Sequence, residues 1–126
     1  METDIKKATK KFIGKKIQDV LIGRERISIR FFDGEIQEFY VSGGCCSASW
    51  IEHWDMPRNL LGVAFLGYDQ NDMPDPEDQT DFKGVHVGSG IVQAYQSVFH
   101  TSTGDITIEY RNSSSGYYGG YLVAIV

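Results

Sequence analysis

An α+β, mainly β fold is predicted for this chain: an antiparallel sheet with a short N-terminal helix and one or two further short helices. Three observations predict it. Apolar and polar residues alternate with a period of two in several segments, the pattern of half-buried strands. Asp33-Gly34 joins two such segments, a pair suited to the tight turn of a hairpin. Helix-like patterning is confined to the opening residues and to one stretch of a single turn near Pro57.

Each element has its own reason. Thr3 to Phe12 reads as a helix with Thr3 or Asp4 as its cap, and Phe12 and Ile13 pin its end before Gly14 breaks it. Lys16 to Ile22 supplies a strand through Ile17, Val20 and Ile22. Arg26 to Phe32 and Glu35 to Val41 form the clearest hairpin. A two-residue turn there places Ile27, Ile29, Phe31, Ile36 and Tyr40 on one face, with Ser28, Arg30, Gln37 and Phe39 on the other. Gly43 and Gly44 open an irregular corner that leads through Cys45 and Cys46 to the aromatic-rich stretch Trp50 to Trp54. Pro57 to Leu61 suits one helical turn, and Val63 to Tyr68 a short apolar strand. Asp69 to Lys83 is then a long acidic connection of the kind that is functional or mobile. Ile91 to Thr101 pairs with Asp105 to Tyr110, and Tyr117 to Val126 adds a last strand.

At 126 residues the chain is expected to form a single domain, 1–126, with a core that needs no staples. Adjacent Cys45 and Cys46 make no disulfide framework, and they lack the two-residue spacer of a zinc site, so no metal is expected. No signal segment or apolar run of spanning length is found, and a cytosolic, soluble protein with no membrane partner is expected. A formal net charge of -5 argues against duplex nucleic acid as a partner.

Charge is unevenly spread. Lys6, Lys7, Lys10, Lys11, Lys15 and Lys16 crowd the start, whereas after Gly34 only Arg58, Lys83 and Arg111 remain as strong cations. For an anion bound in the body of the domain those three are the short list, with solvated surface groups as the other reading of Arg58 and Lys83. Arg111 is the most informative. Ile106, Ile108 and Tyr110 alternate with Thr107, Glu109 and Arg111, so Arg111 leaves its strand opposite the apolar face. Asn112, Ser113 and the serines and glycines that follow offer donors and close backbone approach, with Tyr117 and Tyr118 beside them. A fixed cation, donors and rings suit a phosphorylated, ring-bearing small molecule; a tight hairpin with aromatic packing explains the same residues. In Phe82-Lys83-Gly84, Phe82 either stacks on a base or packs into the core. His53, His86 and His100 are far apart in sequence and no nucleophile sits in a strand-turn-helix elbow, so enzyme activity is not expected.

The runs FIGKKIQDV, CC followed by a WIE segment, and TGDITIEYRNSSSGYYGG resemble a family of small bacterial and phage proteins known as a domain of unknown function. Within it, the RNSSSGYYGG ending is similar to the first anti-Thoeris protein family of phages, sponges that sequester cyclic ADP-ribose isomers without degrading them. The resemblance implies a homo-oligomer in the host cytoplasm that holds a cyclic nucleotide signal at subunit junctions and needs no cofactor. It implies Phe82 as the base-stacking residue and Arg111 as the phosphate clamp, with Asn112, Ser113 and Tyr118 nearby; Arg58 and Lys83 would form a second phosphate site. An oligomeric protein-interaction module with a tyrosine-rich sheet edge, and a hydrolase of the same nucleotides, are the other functions these residues allow.

Overall fold

A computed structural model describes residues 5–43, 47–81, 83–84, 90–114 and 120–125. Two antiparallel four-stranded sheets face each other. The first is ordered β1 (Ile17–Ile22), β2 (Arg26–Phe31), β3 (Ile36–Gly43), β8 (Gly120–Ile125). The second is ordered β4 (Ser47–Asp55), β7 (Gly104–Ser114), β6 (Ile91–Thr101), β5 (Phe65–Asp72). The mainly β, antiparallel architecture is thus the expected one, divided into two layers because each sheet has an apolar face to bury.

The core lies between the layers. Ile27, Ile29, Phe31, Phe39 and Leu122 of the first sheet meet Phe65, Tyr68, Phe99, Ile106 and Ile108 of the second. Phe39 and Phe99 touch across the gap with ring centroids 5.1 Å apart. The helix α1 (Ile5–Thr9) and the 3-10 turn Lys10–Phe12 bring Ile5 and Phe12 into this core, and the Phe12 ring stacks on Phe31 at 4.6 Å.

The β2–β3 hairpin differs from the expected register by one residue. Ile27 stands opposite Phe39 and Arg30 opposite Ile36, because the loop is Phe32-Asp33-Gly34 rather than two residues. The Phe31 N–H donates to the Glu35 carbonyl at 2.9 Å, and Gly34 takes φ 92°, the left-handed position that closes a three-residue hairpin loop. A one-residue shift flips every side chain to the other face. Phe39 is therefore in the core, and Ile36 is 50% exposed.

Two other segments depart from the expected forms. Trp50 to Trp54 belongs to the regular strand β4, with a bulge between Ile51 and His53 that leaves Glu52 unpaired in the ladder. Pro57 to Leu61 is a turn without helix: the Asn59 side chain accepts from the Leu61 N–H at 3.0 Å, a local bond that competes with helical pairing.

The strand β7 runs past Tyr110 to Ser114, so Arg111, Asn112 and Ser113 lie within it. Polar residues extend the strand because their inward members are hydrogen-bonded: Asn112 Nδ2 donates to Ser49 Oγ at 2.8 Å, and Ser49 Oγ donates to the Ser42 carbonyl at 3.0 Å. Among the described residues, Asn112 Oδ1 and the Tyr110 hydroxyl meet no hydrogen-bond partner at ordinary geometry; burial pushes the Tyr110 pKa up, and a weak contact with the Leu122 backbone offsets this only in part. Among the described residues this hydroxyl makes no bond of ordinary geometry, so its removal costs little in bonding, while the ring keeps its stack on Tyr95 at 5.1 Å. Tyr110→Phe is therefore expected to hold or raise stability, by up to about 1 kcal/mol, in a urea titration.

Candidate functional site

The outer face of the second sheet, turned away from the core, carries the main candidate site. Alternation along β7 puts Glu109, Arg111 and Ser113 there, with Trp50 of β4 opposite Arg111. The Arg111 side chain is only 17% exposed, a low figure for an arginine outside the core. Its Nε donates to Glu109 Oε2 at 2.6 Å and its Nη1 lies 3.5 Å from Glu52 Oε1. Nη2 has no partner among the described residues. Glu52 Oε1 also accepts from the Trp50 indole N–H at 3.2 Å.

The acidic connection borders this face. Gln79 Nε2 donates to the Val92 carbonyl at 3.1 Å and the Val92 N–H donates to Gln79 Oε1 at 2.7 Å, so one side-chain amide continues the sheet where β5 has ended. Between this segment and β4 lies a cleft of about 370 Å³ lined by Arg24, Trp50 and Glu52 on one side and by Asp78, Thr80, Asp81 and Gly84 on the other. Arg111 does not line it, but Glu52, which does, has its Oε1 3.5 Å from the Arg111 Nη1.

A second cluster occupies the same face near the start of β7. His100 Nδ1 bonds Asp105 Oδ1 at 2.9 Å and Nε2 bonds Asp69 Oδ2 at 2.8 Å, while Lys6 of α1 reaches Asp69 Oδ1 at 3.2 Å. Both ring nitrogens face carboxylates, and these bonds, Asp105 first and Asp69 next, raise the His100 pKa above its ordinary 6.5. His100 and Lys6 together lower that of Asp69 below 3.8. The raised imidazole pKa means its stabilisation is complete below about pH 6.5 and is lost as pH rises through the folded value. The lowered Asp69 value acts at the other end, its stabilisation being lost as pH falls through the folded pKa. His100→Gln should therefore lower Tm by about 1–3 °C at pH 6 and by less at pH 9, as followed by thermal scans across that range.

The structure gathers some of the sequence-predicted residues and separates others. Arg111 and Ser113 share the outer face, and Lys83, exposed, adjoins the cleft through its own N–H bond to Asp81 Oδ1 at 2.9 Å. Asn112 points the opposite way, 0% exposed between the sheets, so it braces the strand instead of meeting a ligand beside Arg111. Arg58 follows Pro57, which packs against Gly104 at the other end of β7, about 20 Å along the strand from Arg111. It borders a separate depression with Asp19 and Leu61. Phe82, Tyr118, Cys45, Cys46 and His86 lie outside the described residues.

Sequence reasoning did not single out Glu52, Glu109 or the partners of His100. Glu109 was legible from its place two residues before Arg111 on one strand; Glu52 reaches Arg111 only through the β4–β7 pairing.

A match to the family described as Domain of unknown function (DUF7448) spans residues 10–124. The chain belongs to that family. The DUF7448 span takes in the Arg111 site and the His100 cluster, and of the residues that build them only Lys6 precedes it. No curated protein and no solved structure matches the chain. Among the described residues no helix is long and apolar enough to cross a membrane, and no group of three or more His, Cys, Asp or Glu side chains could hold a metal ion.

Proposed function

We propose that this DUF7448 protein is a non-catalytic sponge of the phage anti-defence kind, which captures a cyclic ADP-ribose-type signal in the host cytoplasm and holds it intact. The observation that carries this reading is Arg111, a guanidinium oriented by Glu109 beside a cleft of about 370 Å³ whose walls bear carboxylates. A planar guanidinium fork fits a phosphate, and carboxylates such as Asp78 and Asp81 accept from ribose hydroxyls. The terminal-motif resemblance, in which Arg111 is the clamp, supports the same assignment. Homo-oligomerisation, with Phe82 and Tyr118 completing the site, belongs to this proposal.

The test is a capture and release experiment with cyclic ADP-ribose isomers. The protein is incubated with the compound, the free fraction is assayed, and the mixture is then heat-denatured and assayed again. Depletion followed by recovery of intact compound is expected. Compound lost after heating would make the protein a hydrolase. No depletion would favour the interaction module, for which the observation is Trp54, 53% exposed on the edge strand β4.

A further inference from the structure

We propose that Glu52 is a selectivity gate, which admits to Arg111 a phosphate that also carries hydroxyl donors and rejects simple inorganic anions. The inference rests on the reading of Arg111 as the phosphate clamp and adds what that clamp selects.

The two carboxylates on Arg111 hold it differently. Glu109 is bound to Nε at 2.6 Å and is as shielded as the arginine itself, each side chain being 17% exposed. Glu52 is 33% exposed, sits 3.5 Å from Nη1 and shares one oxygen between Arg111 and the Trp50 indole. It also occupies the bulge of β4, where a side chain is re-aimed out of the regular ladder. Glu109 is thus the fixed brace and Glu52 the exchangeable partner. Glu52 lines the cleft and Arg111 does not, so an anion held in the cleft, where Arg24 is the lining cation, contacts the Glu52 carboxylate before it reaches the Arg111 guanidinium.

An inorganic anion has no donor to offer that carboxylate in exchange. It must displace Glu52 from Arg111 and leave the two negative charges side by side in a cleft whose other lining charges are Asp78, Asp81 and a single cation, Arg24, so that carboxylates outnumber cations there. A ribose-bearing diphosphate replaces both contacts at once: its phosphate takes the Nη1 and Nη2 donors, and a ribose hydroxyl donates to the released Glu52. The site therefore favours ligands with an anionic group and vicinal hydroxyls together.

The probes are ADP-ribose and inorganic pyrophosphate, titrated calorimetrically into wild-type protein, Glu52→Gln and Glu52→Ala. Thermal scans show that each variant is folded. A Trp54→Phe background leaves Trp50 as the reporting indole, since the chain has two tryptophans. Wild type is expected to bind ADP-ribose at least about tenfold more tightly than pyrophosphate. Both Glu52 variants are expected to gain about tenfold or more for pyrophosphate, with that preference reduced and Trp50 emission already shifted before ligand is added. If wild type binds ADP-ribose but neither variant gains pyrophosphate affinity, the gate is overturned and the clamp survives. If no protein binds either probe, the clamp itself is wrong and the gate falls with it.

Discussion

Arg111→Ala is expected to reduce capture of a cyclic ADP-ribose-type ligand by about 10- to 100-fold or more, from the 1.5–3 kcal/mol that a hydrogen bond to a charged group contributes. The loss has a second source. With the guanidinium gone, Glu109 and Glu52 remain near each other, the first mostly shielded from water, and their mutual repulsion keeps a phosphate out of the same space. That repulsion also lowers Tm, so calorimetry belongs well below the melting point with circular dichroism confirming the fold. Arg111→Lys separates charge from geometry. A lysine keeps the cation but has no planar fork, and should recover stability more fully than affinity. Unchanged affinity in a folded Arg111→Ala protein would remove this residue from the site.

The same residues show how far the sequence could be read. Arg111 stood out because cations are scarce after Gly34 and because the Ile106–Ile108–Tyr110 alternation assigns it a face. Its neutralisation by Glu52 was not legible, since it depends on which strand lies beside β7 and on a bulge that breaks the alternation of β4. Asn112 and Ser114 read as the end of a strand because they are polar. In the fold they are buried on its inner face, and Asn112 is paired with Ser49, 63 residues away. The histidines looked unrelated to any constellation, yet cross-strand packing places Asp105, five residues from His100, and Asp69, 31 residues away, on its two ring nitrogens. Local period and turn chemistry are written in neighbouring residues; the division into two sheets is a long-range outcome of the β3–β8 and β4–β7 pairings.

The largest effect on stability is expected from Phe99→Ala. Phe99 is fully buried, meets Phe39 of the opposite sheet at 5.1 Å, and meets Tyr68 of its own sheet at 5.0 Å, so its ring fills the space through which the layers touch. Truncation removes the transfer free energy of the ring and leaves a cavity that neighbouring aromatic rings cannot close without leaving their rotamers, a cost of about 3–5 kcal/mol. Against a total stability of about 5–15 kcal/mol for a domain of this kind, that is a fall in Tm of about 10–20 °C. Leu66→Ala, at a half-exposed position, is the control and should move Tm far less. Glu52, Glu109 and Arg111 are all carried by the second sheet, on the face away from this contact, so capture by Phe99→Ala should persist below its lowered Tm. Denaturant midpoints and calorimetry on the same preparations check both halves. A Phe99→Ala protein that melts like wild type would mean that the sandwich is not packed through this contact. A folded one that no longer binds would mean that the site depends on the registry of the two sheets as well as on the face that carries Arg111.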